Sequence, residues 1–281
     1  MSIQIYNNSS NKIGKIITNA YSTSFSFGIK AFAPEYRDPI YAIYAFVRLA
    51  DEIVDTFHDF DKKTLLKKFR DDTFDAIETG ISTNPVLNAF QNVVREYGIK
   101  TDLIDAFLKS MEMDLYDSSY DRLNYDNYIY GSAEVVGLMC LWVFCNGDKA
   151  KYDDLEEPAR MLGSAFQKVN FLRDIKSDLK ERGRIYLPDV HHHHQLSNAH
   201  KKQLEEEVHI EFKEAFKGIV KLPIGVKLGV YSAYLYYLIL FEKIRAMDIN
   251  QLLKKRVRVS NLRKFGLFLK SYWEVKFLRT T

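Results

Sequence analysis

Two acidic pairs are the residues whose types and spacing could perform chemistry. Asp51 and Asp55 stand four residues apart in YAIYAFVRLADEIVDTF, and Asp174 and Asp178 repeat that spacing in LGSAFQKVNFLRDIKSDLKERGRIYLP. Residues four apart on a helix share one face and lie about one turn from each other. Each pair therefore presents two carboxylates together, and carboxylate oxygens are the ligands that Mg²⁺ prefers in proteins.

An isolated D-x-x-x-D pair is more often the solvated face of an amphipathic helix. The apolar residues around the first pair argue against that alternative, because buried acids need partners. In the second segment, polar residues follow one helix face at i, i+3, i+7 and i+11, namely Gln167, Asn170, Asp174 and Asp178. Two such helices facing each other would surround a polar cavity with oxygen ligands, and Mg²⁺ commonly completes its shell with substrate phosphate. A phosphorylated ligand is therefore expected.

The elements that position these residues are predicted to be helices throughout. Apolar residues recur at helical spacing, interrupted by only 13 Gly and 6 Pro. The predicted helices cover about 11–30, 38–58, 62–79, 84–97, 100–115, 124–146, 155–180, 200–217, 225–246 and 261–277. No break is long enough for an interdomain linker and no internal repeat is found, so one all-α domain over 1–281 is predicted.

Composition excludes several classes of function. The 40 basic and 37 acidic residues nearly cancel to +3, so no nucleic-acid partner is expected. Cys140 and Cys145 have neither disulfide-framework nor zinc spacing, which favours a reducing cytoplasm. The N-terminus lacks a secretory h-region, and the longest apolar stretch is about half of the ~20 residues of a spanning helix. A soluble or at most peripheral protein is expected.

Paired acidic helices in an aromatic-rich bundle suit an ionisation reaction. Mg²⁺ and nearby arginines on a diphosphate neutralise the leaving group, so that a carbon–oxygen bond can ionise. The resulting carbocation must be kept from water, and Tyr and Phe both exclude water and offer π faces to the charge. The chain has 18 Tyr and 19 Phe, although aromatic abundance alone more often reflects ordinary core packing.

The motifs together resemble the squalene/phytoene synthase family. The resemblance is carried by G-x-x-x-Q-x-x-N-x-x-R-D-x-x-x-D followed by R-x-Y-x-P, and by YAFVRLADEIVD, YSTSFSFGIKAF and the central YIYGSAEVVGLM. It runs from about residue 18 to about residue 266, with the motifs in the family's order. The resemblance implies a single-domain isoprenoid-synthase helical bundle with a central aromatic-lined cavity.

The resemblance also implies a reaction, the head-to-head joining of two prenyl diphosphates through a cyclopropylcarbinyl diphosphate. The phytoene-type branch ends with loss of a proton, so no NADPH is expected. Two C20 geranylgeranyl diphosphates giving phytoene are favoured, because the chain resembles the shorter bacterial carotenoid-type members. The alternative within the family is a C15-using squalene or dehydrosqualene synthase.

Roles for individual residues follow from their positions in the family motifs. The expected ligands of Mg²⁺, with Mn²⁺ as a substitute, are Asp51, Asp55, Asn170, Asp174 and Asp178, with Glu52 as a weaker candidate. The expected substrate-binding residues are Ser22, Ser24, Phe25, Arg48, Gln167, Asn170, Arg173, Arg184 and Tyr186. Besides the four aspartates, the expected catalytic residues are Tyr44 and Tyr130. Each arginine could instead only brace carboxylates, Tyr186 could only close its loop, and a structural role is favoured for Glu134.

Two features lie outside the family pattern. An exposed loop is preferred over a metal site for His191 to His194. Residues 251–281 hold nine Lys and Arg and one acid, with aromatic residues interleaved. This basic C-terminal helix fits either peripheral contact with the inner face of a membrane or ordinary packing on the domain. The oligomeric state has no signal in the sequence.

Two other classes of function share part of this pattern. A non-catalytic assembly factor would keep the fold while losing acids, whereas both D-x-x-x-D pairs are intact here. A terpene cyclase that uses one substrate shares the logic of acidic helices but lacks the R-x-Y-x-P context. Both observations favour a synthase.

Overall fold

Helices form nearly all the regular structure of the chain in the computed structural model. It describes residues 2–277, apart from the side chains of Ser24, His193 and Phe277. The α-helices of this part are Ser2–Tyr21 (α1), Thr23–Lys30 (α2), Pro34–Asp55 (α3), Lys62–Thr79 (α4), Pro85–Tyr97 (α5), Thr101–Tyr116 (α6), Arg122–Ile129 (α7), Val135–Phe144 (α8), Lys149–Ser177 (α9), Asn198–Ile219 (α10), Ile224–Arg245 (α11), Ile249–Leu252 (α12) and Asn261–Phe277 (α13).

Two π-helical turns interrupt this pattern. Tyr130–Glu134 joins α7 to α8, and Asp178–Arg182 extends α9. The described residues hold only one isolated β-bridge, between Ser119 and Ile185, and no strand. The predicted all-α class is therefore confirmed.

The helix predictions were wrong at one junction, missed a short helix, and placed the starts of α1 and α9 nine and six residues too late, at 11 for Ser2 and at 155 for Lys149. The predicted helix 11–30 is two helices, because Ser22 has extended backbone angles and its hydroxyl accepts a hydrogen bond from the Phe25 amide at 3.1 Å. This is an N-cap, which starts a new helix. The four-residue helix α12 was not predicted. The predictions 62–79 and 261–277 match α4 and α13 at both ends.

The core consists of two apolar clusters that meet at the long helix α9. The first is built around Phe46 of α3, whose ring stacks on Phe90 with 3.9 Å between centroids and also contacts Phe69 and Phe107. The second cluster surrounds the inner faces of α9, α10 and α11. Because α9 packs against both α8 and α10, its polar stripe is held at a fixed orientation inside the bundle.

Two helical segments are apolar and long enough to cross a membrane, as judged by length and composition alone. They are 122–144, which includes α7 and α8, and 224–245, which is α11. Their most apolar windows are 61% and 50% buried inside the bundle. Core helices of folded domains share this composition, so the finding is weak evidence for a spanning segment.

Replacing Gly163 with Ala is expected to lower the free energy of unfolding by about 1–3 kcal/mol. A Cβ at Gly163 would lie 2.7 Å from the carbonyl oxygen of Ala133 in the first π-helical turn, and backbone atoms cannot move aside cheaply. Urea denaturation would measure the loss. Gly266→Ala in α13 is the control: apart from its chain neighbours and its own helix backbone, no atom of the described residues lies within 4 Å of its Cβ position, so a gain of about 0.5–1 kcal/mol is expected. Equal effects of the two substitutions would contradict this packing.

Candidate active site

The two acidic pairs face each other across a single arginine. Asp51 and Asp55 lie in the last turns of α3, Asp174 lies on α9, and Asp178 begins the second π-helical turn. Arg182 ends that turn and reaches both sides: its Nη1 is 2.8 Å from Asp178 Oδ1 and its Nε is 3.3 Å from Asp55 Oδ2. The fold therefore brings together two pairs separated by more than a hundred residues in sequence.

Asp174 is held by two further arginines. The guanidinium of Arg173 donates to both carboxylate oxygens, at 2.9 and 2.5 Å, and Arg256 donates to the same two oxygens at 2.6 and 3.1 Å. Burial opposes ionisation of Asp174, but these two charges hold its pKa below the ordinary value. Arg173 therefore braces the carboxylate, which was the alternative to diphosphate binding. Arg256 was not predicted as a site residue.

Two of the remaining three carboxylates in the cluster, Asp51 and Asp178, are less well compensated than Asp174. Burial, reinforced by the neighbouring Asp55 carboxylate, raises the pKa of Asp51 to about 7. Burial also raises the pKa of Asp178 to about 7. The Arg182 charge lowers this pKa, and the Asp174 and Asp55 charges raise it. The ionised forms of Asp51 and Asp178 are thus disfavoured mainly by burial, and added positive charge would stabilise them.

This donor set fits Mg²⁺ by chemistry, since it offers carboxylate oxygens with uncompensated charge. It is not a preformed metal site, because the described residues contain no group of three His, Cys, Asp or Glu side chains placed to hold a metal ion. Asp55, Asp174 and Asp178 form ion pairs with arginines instead. The predicted ligation by Asp51, Asp55, Asn170, Asp174 and Asp178 therefore requires these ion pairs to open.

Arg48 provides an unused donor beside the first acidic pair. Its Nη2 forms an ion pair with Glu52, and its guanidinium lies over the Tyr21 ring, 4.3 Å from the centroid. Its Nε is buried and has no hydrogen-bond partner among the described residues. A buried N–H without an acceptor is costly, and an anionic oxygen bound there would satisfy it. Glu52 is occupied with Arg48, which weakens its candidacy as a metal ligand.

Aromatic rings border the acidic cluster on two sides. Phe25 of α2 stacks on Tyr44 of α3 with 4.8 Å between centroids. Phe166 of α9 stacks on Tyr237 of α11 at 4.0 Å, and the Tyr237 hydroxyl donates to Asn170 Oδ1 at 3.1 Å. These rings can keep water away from a reacting carbon.

The remaining predicted residues of this region are Ser22, Ser24, Tyr44 and Gln167. Burial raises the pKa of Tyr44, and Arg48 and a hydrogen bond with Ser22 oppose that effect, which places all three residues together. Gln167 is half-buried, as are Asn170 and Asp174 on the same stripe. The side chain of Ser24 lies outside the described residues.

A buried acid that was not predicted, Asp114 of α6, is linked to Asp55 through Arg184 and is hydrogen-bonded by three tyrosines. Its carboxylate accepts hydrogen bonds from the hydroxyls of Tyr186 at 2.8 Å, Tyr128 at 2.8 Å and Tyr120 at 3.2 Å. Arg184 joins the two acids: Nη1 donates to Asp55 at 2.8 Å and Nη2 to the Asp114 carbonyl at 2.8 Å. Arg184 and Tyr186 are thus bracing residues in this structure.

A sequence signal for Asp114 existed. It continues the buried face of α6 that Phe107 and Met111 belong to, so it is an acid in an apolar helix position. Such positions imply a buried partner, here Arg184 from a segment seventy residues away.

Tyr130 lies in a different place from the acidic cluster. It lines a polar cleft of about 380 Å³ together with Glu134, Arg160 and Lys168, and none of the four aspartates lines that cleft. Glu134 accepts a hydrogen bond from Arg160 Nε at 2.7 Å, which supports its predicted structural role. The structure therefore does not unite Tyr130 with Tyr44, and its catalytic role stays a prediction.

The histidine run lies at the surface. His191, His192 and His194 are exposed, and the Gln195 side chain accepts hydrogen bonds from the backbone amides of His191 and His192. The described part of the run belongs to no candidate metal group. The predicted surface exposure is confirmed for these three residues, of which His194 lies in a short 3-10 turn, His193–Gln195.

An all-α bundle in which two D-x-x-x-D helices face each other defines a recognisable class, the squalene/phytoene synthases. The model of the squalene/phytoene synthase family matches residues 18–263. The chain belongs to that family. Among its relatives is phytoene synthase 1, chloroplastic, of Arabidopsis thaliana, which is 30% identical over 281 residues that cover 90% of this chain. Another is phytoene synthase 2, chloroplastic, of Solanum lycopersicum, which is 29% identical over 87% of this chain.

The lengths of the relatives differ from that of this chain. The match spans 63% of the Arabidopsis protein and 84% of the Solanum protein. Solved structures agree in fold: a dehydrosqualene synthase with ligand has a TM-score of 0.81 at 23% identity, covering 98% of this chain and 99% of its own. A squalene synthase from Alicyclobacillus acidocaldarius has a TM-score of 0.75 at 19% identity, covering 86% and 95%.

Replacing Arg182 with Gln is expected to increase the effect of divalent metal on thermal stability. Without metal, the variant loses the cation between Asp55 and Asp178 and should melt at a lower temperature than the wild type. Millimolar Mn²⁺ should then raise its melting temperature more than that of the wild type, because no arginine competes. Differential scanning fluorimetry with and without Mn²⁺ measures both effects. An equal or smaller Mn²⁺ shift in the variant would contradict competition between Arg182 and a metal ion for Asp55 and Asp178.

Proposed function

We propose that this chain is a prenyltransferase that joins two geranylgeranyl diphosphates head to head to give phytoene. The observation that carries the proposal is the pair of facing D-x-x-x-D helices whose charge is incompletely compensated. Membership of the squalene/phytoene synthase family and the similarity to named phytoene synthases support the choice of reaction.

The carboxylates of Asp51, Asp55, Asp174 and Asp178 and the amide oxygen of Asn170 would hold Mg²⁺. When bound, Mg²⁺ supplies charge neutralisation of the leaving diphosphate. Opening the ion pairs to metal would free Arg182 and Arg256 to contact anionic oxygens, and Arg48 already has an unpartnered Nε. Cations around a departing diphosphate stabilise the charge that develops as the carbon–oxygen bond breaks.

The aromatic residues would protect the cationic carbon. After the first diphosphate leaves C1, the double bond of the second substrate attacks that carbon, and loss of a proton closes the cyclopropane ring. The second ionisation releases the remaining diphosphate, and rearrangement followed by loss of another proton gives the triene of phytoene without a reductant. The stacked pairs Phe25–Tyr44 and Phe166–Tyr237 border the acidic cluster and offer π faces to the carbocation.

A C15 substrate is the alternative within the same chemistry. A structure named as a dehydrosqualene synthase matches nearly the whole length of both chains. That likeness, at 23% identity, supports the fold and leaves the chain length to experiment. The intact acids argue against a non-catalytic assembly factor.

Incubation of the purified protein with Mg²⁺ and one substrate at a time, without NADPH, tests the proposal. Mass spectrometry of the extract is expected to find a C40 hydrocarbon from geranylgeranyl diphosphate. A C30 hydrocarbon from farnesyl diphosphate alone would move the assignment to dehydrosqualene synthase. A cyclopropyl diphosphate that accumulates would indicate a missing reductant, and turnover of neither substrate would favour the assembly factor.

A further inference from the structure

The C-terminal helix α13 is apolar on two opposite faces. One face packs against α11 and buries Leu267, Ser271 and Val275. The other face carries large apolar side chains that are open to solvent. Their exposed fractions are 83% for Leu262, 55% for Phe265, 45% for Leu269, 44% for Tyr272 and 59% for Trp273.

The exposed residues form a stripe and are not scattered. Leu262, Phe265, Leu269 and Trp273 follow one another at spacings of three, four and four residues, which places them along one side of a helix with 3.6 residues per turn. A continuous exposed apolar stripe of this kind marks an interaction surface more often than an ordinary solvated face does.

Charge around the stripe is predominantly basic. Arg263, Lys270 and Lys276 are exposed along the same helix, and Lys276 lies over the rings of Tyr272 and Trp273 at 5.1 and 5.2 Å. The single acid of α13, Glu274, accepts a hydrogen bond from the Tyr231 hydroxyl at 2.9 Å, and its other carboxylate oxygen lies 3.7 Å from Lys270 Nζ. The outer face is therefore apolar, aromatic and predominantly basic, with this one carboxylate at its edge.

We infer that the outer face of α13 docks on the surface of a lipid bilayer that contains anionic headgroups. Apolar side chains would enter the boundary between headgroups and acyl chains, Tyr and Trp suit that depth, and the basic residues would meet lipid phosphates. A second copy of this chain is a poorer occupant, because two identical basic faces would repel each other. This inference does not depend on the proposed reaction.

The docking face continues toward the acidic cluster through α2. Phe268 of α13 contacts Phe27 of α2 edge to face at 4.9 Å, and two residues earlier Phe25 stacks on Tyr44. Phe25 and Phe27 are 41% and 45% exposed. If the proposed function is correct, an apolar surface thus leads from the bilayer to the site, and long prenyl chains need not cross water.

Intrinsic tryptophan fluorescence tests the docking directly. The chain has two tryptophans: Trp142 is 6% exposed, whereas Trp273 on the docking face is 59% exposed and would move from water into lipid. Vesicles of phosphatidylcholine with about a third phosphatidylglycerol should shift the emission of the wild-type protein to shorter wavelength. Pure phosphatidylcholine vesicles should bind about tenfold or more weakly. Trp273→Phe should abolish the shift while vesicle sedimentation still detects binding.

Paired variants identify the surface. Phe265→Ser with Leu269→Ser should weaken sedimentation with anionic vesicles by about tenfold or more. The matched control, Phe60→Ser with Ile210→Ser, removes side chains that are 67% and 61% exposed elsewhere and should change binding less than about twofold. Circular dichroism melting would check that all variants fold, and Arg263→Gln with Lys270→Gln gives an independent charge test should the apolar variant unfold.

Three results would overturn the inference. The wild-type protein could fail to bind anionic vesicles, or the control pair could weaken binding as much as the α13 pair. The third is a wild-type dimer, seen by light scattering, that the α13 substitutions dissociate, since the occupant would then be a second copy. Each readout is independent of catalysis, so a failure here is distinguishable from failure of the proposed function.

Discussion

Replacing Asp51 with Asn is expected to reduce the proposed synthase activity by at least about a thousandfold while leaving the protein as stable as the wild type or more so. The loss follows because an amide cannot replace a carboxylate in charge neutralisation of the leaving diphosphate. Single-turnover product analysis by mass spectrometry measures it. Asp174→Asn should cause a comparable loss.

The expected stability of Asp51→Asn follows from the sign of its pKa shift. Burial and the Asp55 charge raise the pKa of Asp51 to about 7, so at pH 8 the metal-free folded state holds a charge that the unfolded chain solvates better. Asn removes that cost. A melting temperature at pH 8 that is unchanged or higher is therefore expected, a trade-off typical of functional sites.

Asp71→Asn is the matched control for this prediction. Asp71 is on the surface of α4, with a side chain 54% exposed and an ion pair with Lys67 at 2.7 Å, so its loss should change activity less than about twofold. Retention of more than a tenth of the wild-type activity by Asp51→Asn would show that the facing acidic pairs are not the reaction site.

Replacing Arg184 with Met is expected to destabilise the fold by about 3–5 kcal/mol. Arg184 is 8% exposed and lies between the Asp55 and Asp114 side chains. Its removal leaves Asp114 as a buried charge supported only by tyrosine hydroxyls. Urea denaturation at pH 8 would measure the change.

A second substitution separates the loss of charge compensation from the loss of packing. Burial already raises the pKa of Asp114, and Arg184 is the largest influence opposing that rise. Asp114→Asn in the Arg184→Met background should therefore restore a substantial part of the stability, because the uncompensated charge is gone. For the same reason the single variant should lose less stability at pH 5 than at pH 8. Additive effects of the two substitutions would contradict a coupled pair.

The helical class and most helix positions were predictable from local pattern. The apolar spacing of α4 and α13 predicted their bounds correctly, because amphipathic periodicity and capping act within a few residues. The break at Ser22 was missed, since a serine can either continue a helix or cap a new one. The π-helical turns were also missed, because an extra residue in a helix leaves the apolar pattern nearly unchanged.

The acidic pairs were recognisable for the same local reason, since spacing by four places carboxylates on one face. Their partners were not recognisable. Arg182 pairs with Asp55 of α3, and Arg256 pairs with Asp174 of α9. Arg184, seventy residues from Asp114 in sequence, donates to the Asp114 carbonyl oxygen. Pairing over such separations depends on how helices pack, which periodicity does not encode.

What the sequence by itself determined was the kind of chemistry: two D-x-x-x-D helices, aromatic residues in excess and family motifs in order. Only the tertiary structure decided which charges meet. It placed Arg182 between the acidic pairs, left Arg48 Nε without an acceptor among the described residues and turned one apolar face of α13 to solvent. The physical reason is range: spacing along a helix is set by a few neighbouring residues, whereas burial and ion pairing are set by contacts between distant segments.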